Sequence, residues 1–277
     1  LNIMNLNAYK MNGLGNDFVI LDNRDNFINL SRNQIIKISD RKFIGCDQLI
    51  IINKSKEYDG KLIFYNSDGS MTGACGNGTR CVAYFLSIEK GKNNILLKTD
   101  SGILNSKIIN RENVETEMGK AKFYWKEIPL TKELDTKNLN IKISDQSNKE
   151  FIGGTAINIG NPHLIFFVEN IDAYDLIKIG SKLERHEYFP ERCNVTLAKI
   201  INKKTIQAKV WERGAGLTEA CGTAACATAI AAQKAGLSDE SVNIKFKQGD
   251  LSIFIDKDNL IRMSGPVSDI KKIIINI

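Results

Sequence analysis

Two cysteines occupy matching sequence contexts and could perform acid–base chemistry. Cys75 lies in GACGNGTRC and Cys221 lies in EACGTAACATAIAAQKAG, so each stands directly before a glycine and a stretch of helical character. A thiol at a helix N-terminus faces unpaired backbone N–H groups and the positive end of the helix dipole, and both favour the thiolate. The other cysteines lack this context and are interpreted as core residues: Cys46, Cys81, Cys193 and Cys226.

An internal repeat connects Cys75 and Cys221. Segment 65–76 aligns with segment 211–222 at an offset of 146 residues, and the aromatic, Thr, Ala, Cys and Gly positions coincide. Further matches lie upstream, in the same order in both halves: Gly15-Asn16 with Gly160-Asn161, and Gln48 with Asn194. Coincidences in one order and nearly one register indicate two homologous halves, each carrying one of the two cysteines.

The elements that must position these residues alternate between strands and helices. Strands are predicted at Phe18–Asp22, Gln48–Ile52, Lys61–Tyr65, Ile95–Lys98, Ile103–Ile109, Ala121–Trp125, Thr155–Ile159, Leu164–Val168, Val195–Ile200, Thr205–Trp211, Val242–Phe246, Leu251–Ile255 and Leu260–Met263. Helices are predicted from Cys75 to about Lys90, from Asp172 to about Tyr188, and from Cys221 to about Ala235. Short turns such as TDSG and KQGD favour antiparallel hairpins.

This order predicts an α+β protein with two homologous halves related by a pseudo-twofold axis. Each half is expected to be a mostly antiparallel sheet around a central helix. The N-terminal half is placed at residues 1–120 and the C-terminal half at 121–265, and segment 266–277 is expected to return to the first half as a strand. The active site is expected in the cleft between the halves.

The paired thiols suggest a specific reaction. A pseudo-twofold axis would bring the two helix N-termini face to face, so that their amides could hold one substrate carboxylate. The α-carbon would then lie between the sulfurs of Cys75 and Cys221. One thiolate could remove the α-proton from one face while the other thiol delivers a proton to the opposite face, which inverts the stereocentre.

Composition excludes several other classes of protein. Among 277 residues, Lys and Arg total 38 and Asp and Glu total 32, so the net charge of +6 is too mild and too dispersed for a nucleic-acid surface. No apolar run reaches the length of a transmembrane helix, and no apolar signal-peptide core is visible, so a cytoplasmic protein with reduced thiols is expected. Only two histidines and no C-x-x-C pair occur, so no metal site is predicted. Met4 is a candidate for the natural first residue.

Several blocks of sequence resemble the diaminopimelate epimerase family. They are MNGLGNDFVILD (11–22), DQL (47–49), YNSDGS (65–70), CGNGTRC (75–81), GNPH (160–163), FPERCN (189–194), WERGAGLT (211–218) and ACGT (220–223). The family usually has a second glycine after ACG-Ser/Thr, where this chain has Ala224, whose methyl group could limit how closely the backbone approaches a ligand.

The resemblance implies a fold, an activity and a set of site residues. The family interconverts L,L- and meso-diaminopimelate without pyridoxal phosphate or any other cofactor, in lysine and peptidoglycan precursor synthesis. The resemblance implies catalytic roles for Cys75 and Cys221, and binding of the reacting carboxylate at Gly76-Asn77 and Gly222-Thr223. It implies that Glu212 contacts the reacting amino group and that the non-reacting centre is bound by Asn66, Asn161, Asn194 and Arg213. It also implies that Asn16 and Gln48 line the pocket and that His163 supports the site. It also implies that the protein is a homodimer and that it binds a small amino-acid substrate, with no nucleic-acid or membrane partner.

Three alternatives remain open from the sequence. A different cofactor-independent racemase or isomerase of the same fold would share the paired thiols. A thiol redox protein would show dithiol exchange and no α-proton exchange. A non-catalytic amino-acid-binding protein would bind its ligand after loss of either thiol and would convert no isomer.

Overall fold

The computed structural model describes residues 5–73 and 75–277. Met4 and Ala74 lie outside the described residues. The chain divides into two compact units, one made of the described residues up to Glu117 together with Ser264–Ile277, the other of Met118–Met263. That these units correspond to the homologous halves 1–120 with 266–277 and 121–265 stays a prediction of the repeat.

The helices and strands are as follows. The first part of the chain contains β1 (Asn5–Gly13), β2 (Asn16–Asn23), α1 (Arg32–Ser39), β3 (Gln48–Asn53), β4 (Gly60–Asn66), β5 (Met71–Thr72), α2 (Gly76–Lys90), β6 (Asn94–Thr99), β7 (Gly102–Asn110) and β8 (Asn113–Lys120). Then come β9 (Ile141–Ser144), β10 (Glu150–Gly153), β11 (Thr155–Asn158), β12 (Pro162–Phe167), a 3-10 turn (Ile171–Ala173), α3 (Leu176–Glu184), β13 (Asn194–Asn202), β14 (Thr205–Glu212), β15 (Gly216–Thr218), α4 (Gly222–Lys234), β16 (Ser241–Phe246), β17 (Gly249–Ile255), β18 (Leu260–Gly265) and β19 (Lys271–Asn276).

The first unit is built on a mixed sheet. β1 pairs antiparallel with β2 and also with β19, so the C-terminal strand belongs to this sheet. β2 runs parallel to β3, and β3 is antiparallel to β4. β4 is antiparallel to β5 and parallel to β6, which pairs antiparallel with β7. The sequence order therefore includes two parallel pairs that short turns could not produce.

The second unit repeats this pairing scheme. β11 is antiparallel to β12, β12 is parallel to β13, and β13 is antiparallel to β14. β14 is antiparallel to β15 and parallel to β16, which is antiparallel to β17. The helices also occupy the same places, because α1 and α3 connect the first parallel pair while α2 and α4 connect the second. The predicted α+β class is confirmed, and strands dominate both units.

One long helix fills the core of each unit. In the first unit, Val82 and Leu86 of α2 pack with Phe18 and Phe64 of the sheet, and all four are buried. In the second unit, α4 reads GTAACATAIAAQK and is buried around most of its circumference. A helix that is apolar on all sides belongs in a core, and alanine side chains allow the neighbouring strands to approach its backbone closely.

The helix predicted from Asp172 to about Tyr188 is wrong at both ends. Asp172 lies in the 3-10 turn, and α3 begins after Asp175, whose side chain accepts a hydrogen bond from the Lys178 N–H. The helix ends at Glu184. An N-cap carboxylate satisfies one unpaired N–H of the first turn, so the helix starts at the later aspartate.

One further expectation is wrong, and one helix was not predicted. Ala121–Trp125 forms no strand, since Lys122 makes only an isolated bridge with Asn158 and the chain then enters successive turns. The sequence did not predict α1, although Ser31 and Gln34 form a capping box at its start. Its pattern S-x-x-Q was a readable signal, but the helix is short and only partly apolar.

Candidate active site

The two repeated cysteines have nearly the same backbone conformation. Cys75 is the N-cap of α2 with φ −140° and ψ 117°, and Cys221 is the N-cap of α4 with φ −142° and ψ 120°. Neither side chain makes a capping hydrogen bond to its own helix. The helices begin one residue after each cysteine, which confirms the helix starts predicted from the sequence.

The first-turn amides of both helices are suited to bind an anion. In α2, both the N–H and the hydroxyl of Thr79 are hydrogen-bonded to the Cys75 carbonyl oxygen, so intrahelical bonding starts at Thr79. In α4, the Ala225 N–H plays the same part toward the Cys221 carbonyl oxygen. Amides before these positions have no intrahelical acceptor. They include those of Gly76-Asn77 and Gly222-Thr223, the pairs the resemblance implied, and neither helix has an acidic residue in its first turn.

Asn16 contacts the thiol of Cys75 within the first unit. The distance from Cys75 Sγ to Asn16 Oδ1 is 3.7 Å, and Asn16 Nδ2 donates to Asp47 Oδ2 at 2.9 Å. The same carboxylate oxygen accepts the Asp17 N–H at 2.9 Å, and Arg41 bridges Asp47 and Asp17. A carboxylate can only accept, so Asp47 fixes the side-chain amide of Asn16 with its oxygen toward the thiol.

Gln48 and Asn66 form a second polar group in this unit. They face each other across β3 and β4, and Gln48 Nε2 donates to Asn66 Oδ1 at 3.1 Å. Asn66 Nδ2 donates to Ser70 Oγ at 3.1 Å. Among the residues that the structure describes, the buried Gln48 Oε1 has no hydrogen-bond partner, and neither has Asn77 Oδ1. Two unsatisfied acceptors suit a ligand that carries N–H or O–H donors.

Thr223 links Cys221 to Asn161 in the second unit. Cys221 Sγ lies 3.5 Å from Thr223 Oγ1, which accepts from Asn161 Nδ2 at 3.4 Å. Asn161 Oδ1 lies 2.8 Å from Nε2 of the fully buried His163. Because this amide oxygen can only accept, the Nε2 of the ring carries the proton.

His163 is held neutral. Burial, and secondarily the charge of Arg213, lowers the pKa of His163 to about 3. The imidazole therefore acts as a neutral hydrogen-bond donor to Asn161 near pH 7 rather than as a cation.

The remaining predicted residues surround the end of β14. Asn194 is buried; its Nδ2 donates to the Pro162 carbonyl at 3.1 Å, and its Oδ1 accepts the Arg213 N–H at 2.9 Å. Arg213 Nη1 donates to the Glu191 carbonyl at 2.9 Å. Glu212 Oε1 accepts the Thr218 hydroxyl at 2.6 Å. In the sheet register, Asn194 lies opposite His163, so these groups share one end of their strands.

Three residues near these side chains were not predicted as functional. Asp47 orients Asn16, Ser70 holds Asn66, and the buried Glu184 accepts from Trp211 Nε1 and from the Gly214 N–H. Asp47 stands in the block DQL, but nothing in the sequence connects it to Asn16, whose position is 31 residues away.

The cysteines interpreted as core residues are indeed buried. Burial raises the pKa of Cys81 to about 12 and also raises the pKa values of Cys46 and Cys193. Within residues 5–73 and 75–277, no group of three or more His, Cys, Asp or Glu side chains is arranged to hold a metal ion. None of the helices described for this chain is long and apolar enough to span a membrane.

Comparison with solved structures defines the class of fold. A hydroxyproline epimerase from Agrobacterium vitis matches with a TM-score of 0.71 at 11% identity, over 99% of this chain and 93% of that chain. A PhzF-family phenazine biosynthesis protein from Bacillus anthracis matches with a TM-score of 0.69 at 16% identity, over 99% of this chain and 100% of that chain. At such low identity, these matches show that the chain has the α+β fold shared by these two structures.

Sequence comparison identifies the family within this class. The family model for diaminopimelate epimerase matches residues 8–124 and 155–270. A diaminopimelate epimerase from Pelagibacter ubique is 61% identical over 98% of both chains, and one from Methylocella silvestris is 39% identical over 94% of this chain and 91% of its own length. The chain belongs to the diaminopimelate epimerase family. The family expected from the motifs, and with it the isomerase class, is confirmed.

Proposed function

We propose that this protein interconverts L,L- and meso-diaminopimelate by a two-base mechanism in which Cys75 and Cys221 are the acid–base pair. The observation that carries the proposal is the matched N-cap conformation of the two cysteines. Each thiol is held beside the amides of a helix N-terminus, where a thiolate is favoured. The mechanism requires the two sulfurs to reach opposite faces of one α-carbon.

The helix N-termini have a second task in this proposal. As the α-proton leaves, negative charge develops on the carboxylate of the reacting centre. Backbone N–H groups at Gly76-Asn77 and Gly222-Thr223 can donate to that carboxylate without reorganising, and charge-directed donors of this kind stabilise a transition state strongly. No metal or cofactor is needed for this step, because the proton moves between sulfur and carbon and the charge is absorbed by fixed amides.

The remaining side chains would select the substrate. The carboxylate of Glu212 suits the reacting ammonium group, and Arg213 suits the carboxylate of the non-reacting centre. Amides that can both donate and accept suit a second zwitterionic head. This assigns Asn66, Asn161 and Asn194 to the non-reacting centre, Asn16 and Gln48 to the pocket wall, and His163 to the support of Asn161. A substrate with two amino-acid heads uses all of these groups, whereas proline has only one such head.

Isotope exchange tests the proposal directly. Purified reduced protein is incubated with L,L-diaminopimelate in deuterated water, and the isomer ratio and the deuterium content at the α-carbon are followed together. Conversion to the meso isomer with deuterium at the inverted centre is expected, and activity should persist after dialysis against chelator. Loss of activity in chelator with recovery on metal addition would contradict the mechanism.

Parallel assays separate the alternatives. Inversion of another amino acid, but not of diaminopimelate, would indicate a different racemase of this fold. Dithiol exchange without α-proton exchange would indicate a redox protein, and binding without conversion would indicate a binding protein. We also propose that the protein is a cytoplasmic homodimer, as the family resemblance implies. Light scattering coupled to size-exclusion chromatography measures its molar mass and would contradict the dimer if it gave one chain.

A further inference from the structure

The carboxylate of Glu184, at the end of α3, holds the turn that carries Glu212 and Arg213. Glu184 is only 5% exposed. Its Oε2 accepts from Trp211 Nε1 at 2.7 Å, and its Oε1 accepts from the Gly214 N–H at 3.2 Å. These donors stand immediately before and immediately after the charged pair in the chain. One carboxylate therefore fixes both ends of the turn.

We propose that Glu184 is a positioning residue for Glu212 and Arg213 and thereby sets the affinity for the charged groups of the substrate. The inference rests on the proposed function, in which these two side chains bind an ammonium and a carboxylate group. Glu184 itself touches no reacting atom in this proposal. It acts through Trp211 and Gly214.

The surface of α3 is shaped to receive the indole ring. A Cβ atom built at Gly180 would lie 2.6 Å from both Cγ and Cδ2 of Trp211, which is far inside van der Waals contact. The ring therefore lies directly against the helix backbone at Gly180. Glu184 follows four residues later on the same helix face, where its carboxylate meets the indole N–H. Gly180 and Glu184 together therefore fix the position of the Trp211 side chain on α3.

Arg213 and Glu184 make further contacts at this turn. Arg213 donates its backbone N–H to Asn194, and its guanidinium group donates to the Glu191 carbonyl oxygen. Arg192 Nη1 lies 3.7 Å from Glu184 Oε1 and supplies a counter-charge for the buried carboxylate. A buried carboxylate is tolerated where donors and a cation compensate its lost hydration, as they do here.

The substitution Glu184→Gln affects the contacts with Trp211 and with Gly214 differently, while it conserves the volume of the side chain. The single amide oxygen of glutamine can still accept from Trp211 Nε1. Its NH2 group then meets the Gly214 N–H, so that two donors face each other. The turn is thus released at Gly214, and the hydrogen bond from the Trp211 indole N–H weakens because its acceptor is no longer charged. The matched control is Glu187→Gln, an identical change of charge at an exposed position three residues later.

The experiment combines kinetics with an indole signal. The chain has two tryptophans, so a ¹H–¹⁵N spectrum contains two indole resonances, and Trp211→Phe assigns them. In Glu184→Gln, the Trp211 indole resonance should shift while that of Trp125 stays in place. The KM for diaminopimelate should rise about 10-fold or more with kcat changed less than about threefold, because contacts made equally in ground and transition state appear in KM. Glu187→Gln should match the wild type in both measurements.

Two results would overturn the proposal. One is a KM within twofold of the wild-type value although the indole resonance has shifted, and the other is an indole resonance that does not move. If Glu184→Gln folds poorly, Trp211→Phe removes the other partner of the same contact and should also raise KM; an unchanged KM there would equally reject the inference. A wild-type protein without epimerase activity would reject the proposed function instead, and the indole spectra would still test the contact.

Discussion

Asn16 and Asn161 occupy matched places in the repeat but turn their side-chain amides in opposite senses. Asp47 accepts from Nδ2 of Asn16, which leaves Oδ1 toward the thiol of Cys75. His163 instead donates to Oδ1 of Asn161, which leaves Nδ2 toward Thr223, the neighbour of Cys221. The two thiols therefore meet different hydrogen-bonding groups, although their backbone settings agree.

Removing the acceptor-only character of Asp47 should disturb this arrangement. In Asp47→Asn, the new amide can donate as well as accept, so it no longer fixes the orientation of Asn16. We expect kcat/KM to fall about 10-fold, the worth of one well-placed hydrogen bond to a charged group. Steady-state kinetics measure the change. Asp25→Asn, at an exposed position, is the control and should leave kcat/KM unaltered; equal effects of both variants would argue against an orienting role.

Substituting either Cys75 or Cys221 should separate proton removal at one face of the α-carbon from proton delivery at the other. Cys75→Ser and Cys221→Ser should each lose net inversion by a factor of about 100 or more, because each removes one acid–base group. The surviving thiol still reaches one face of the α-carbon, so each variant should exchange the α-proton of a single isomer with deuterated water. The two variants should prefer opposite isomers. Exchange of the same isomer by both would refute the assignment of one base to each face.

The buried cysteines should resist alkylation in the native protein. Because burial raises the pKa values of Cys81 and Cys193, both remain protonated thiols near neutral pH and react slowly. Mass spectrometry after brief iodoacetamide treatment at about pH 8 should find label at Cys75 before Cys81 or Cys193. Alkylation in denaturant serves as the control, in which these differences should vanish. Equal native labelling of Cys75 and Cys81 would contradict the burial argument.

The neutral state of His163 gives stability a defined pH dependence. The unfolded chain binds a proton near the ordinary histidine pKa of 6.5, whereas the folded protein does so only near 3. The unfolded state therefore binds more protons between these values, and the free energy of unfolding falls as pH drops through that window. Between pH 7 and pH 5 this group should contribute a loss of about 1–2 kcal/mol.

The contribution of His163 can be isolated with His163→Gln, which retains a hydrogen-bond donor and does not titrate. Urea unfolding at both pH values should show a smaller pH dependence in the variant than in the wild type. His186→Gln, at the only other histidine, is the comparison variant. An identical dependence in wild type and His163→Gln would mean that His163 is protonated in the folded protein as readily as in the unfolded chain.

Gly78 and Ala224 stand at matched positions of α2 and α4, and packing explains why the residues differ. A Cβ atom at Gly78 would lie 2.8 Å from Ile50 Cδ1, with Phe64 and Phe18 also within 3.2 Å. Ala224 is fully buried, so its methyl group occupies space in the core around α4. Gly78→Ala should therefore destabilise by about 1–3 kcal/mol through overpacking.

Ala224→Gly should destabilise through the opposite cause. It removes a buried methyl group and weakens a helix interior, at a cost of about 1–2 kcal/mol. Thermal and urea unfolding measure both variants. Because the methyl group faces the interior, Ala224→Gly should leave the KM for diaminopimelate unchanged. A lower KM would show instead that the methyl group limits the approach of the ligand to the backbone.

Local signals in the sequence were sufficient for the helices that carry the cysteines. Glycine marks their ends, since Gly91 and Gly236 adopt φ values of 64° and 71°, a conformation that glycine reaches without strain. The repeat likewise depends only on residue order, so it predicted which residues correspond. The strand predicted from Gln48 starts there in the structure, and the strand predicted from Val195 starts one residue earlier, at Asn194.

Tertiary structure decided which strands pair and which hydrogen-bond partners the site residues have. The parallel pairs β2–β3 and β12–β13 join strands separated by a helix, and no turn motif encodes such pairing. Asp47 reaches Asn16 across 31 residues, and Glu184 reaches Trp211 across 27. By itself the sequence determined which residue types stand at helix and strand ends, because those depend on neighbours in the chain. Which acceptor meets which donor was decided only by folding, because one carboxylate can serve any N–H that the packed strands and helices bring within 3 Å.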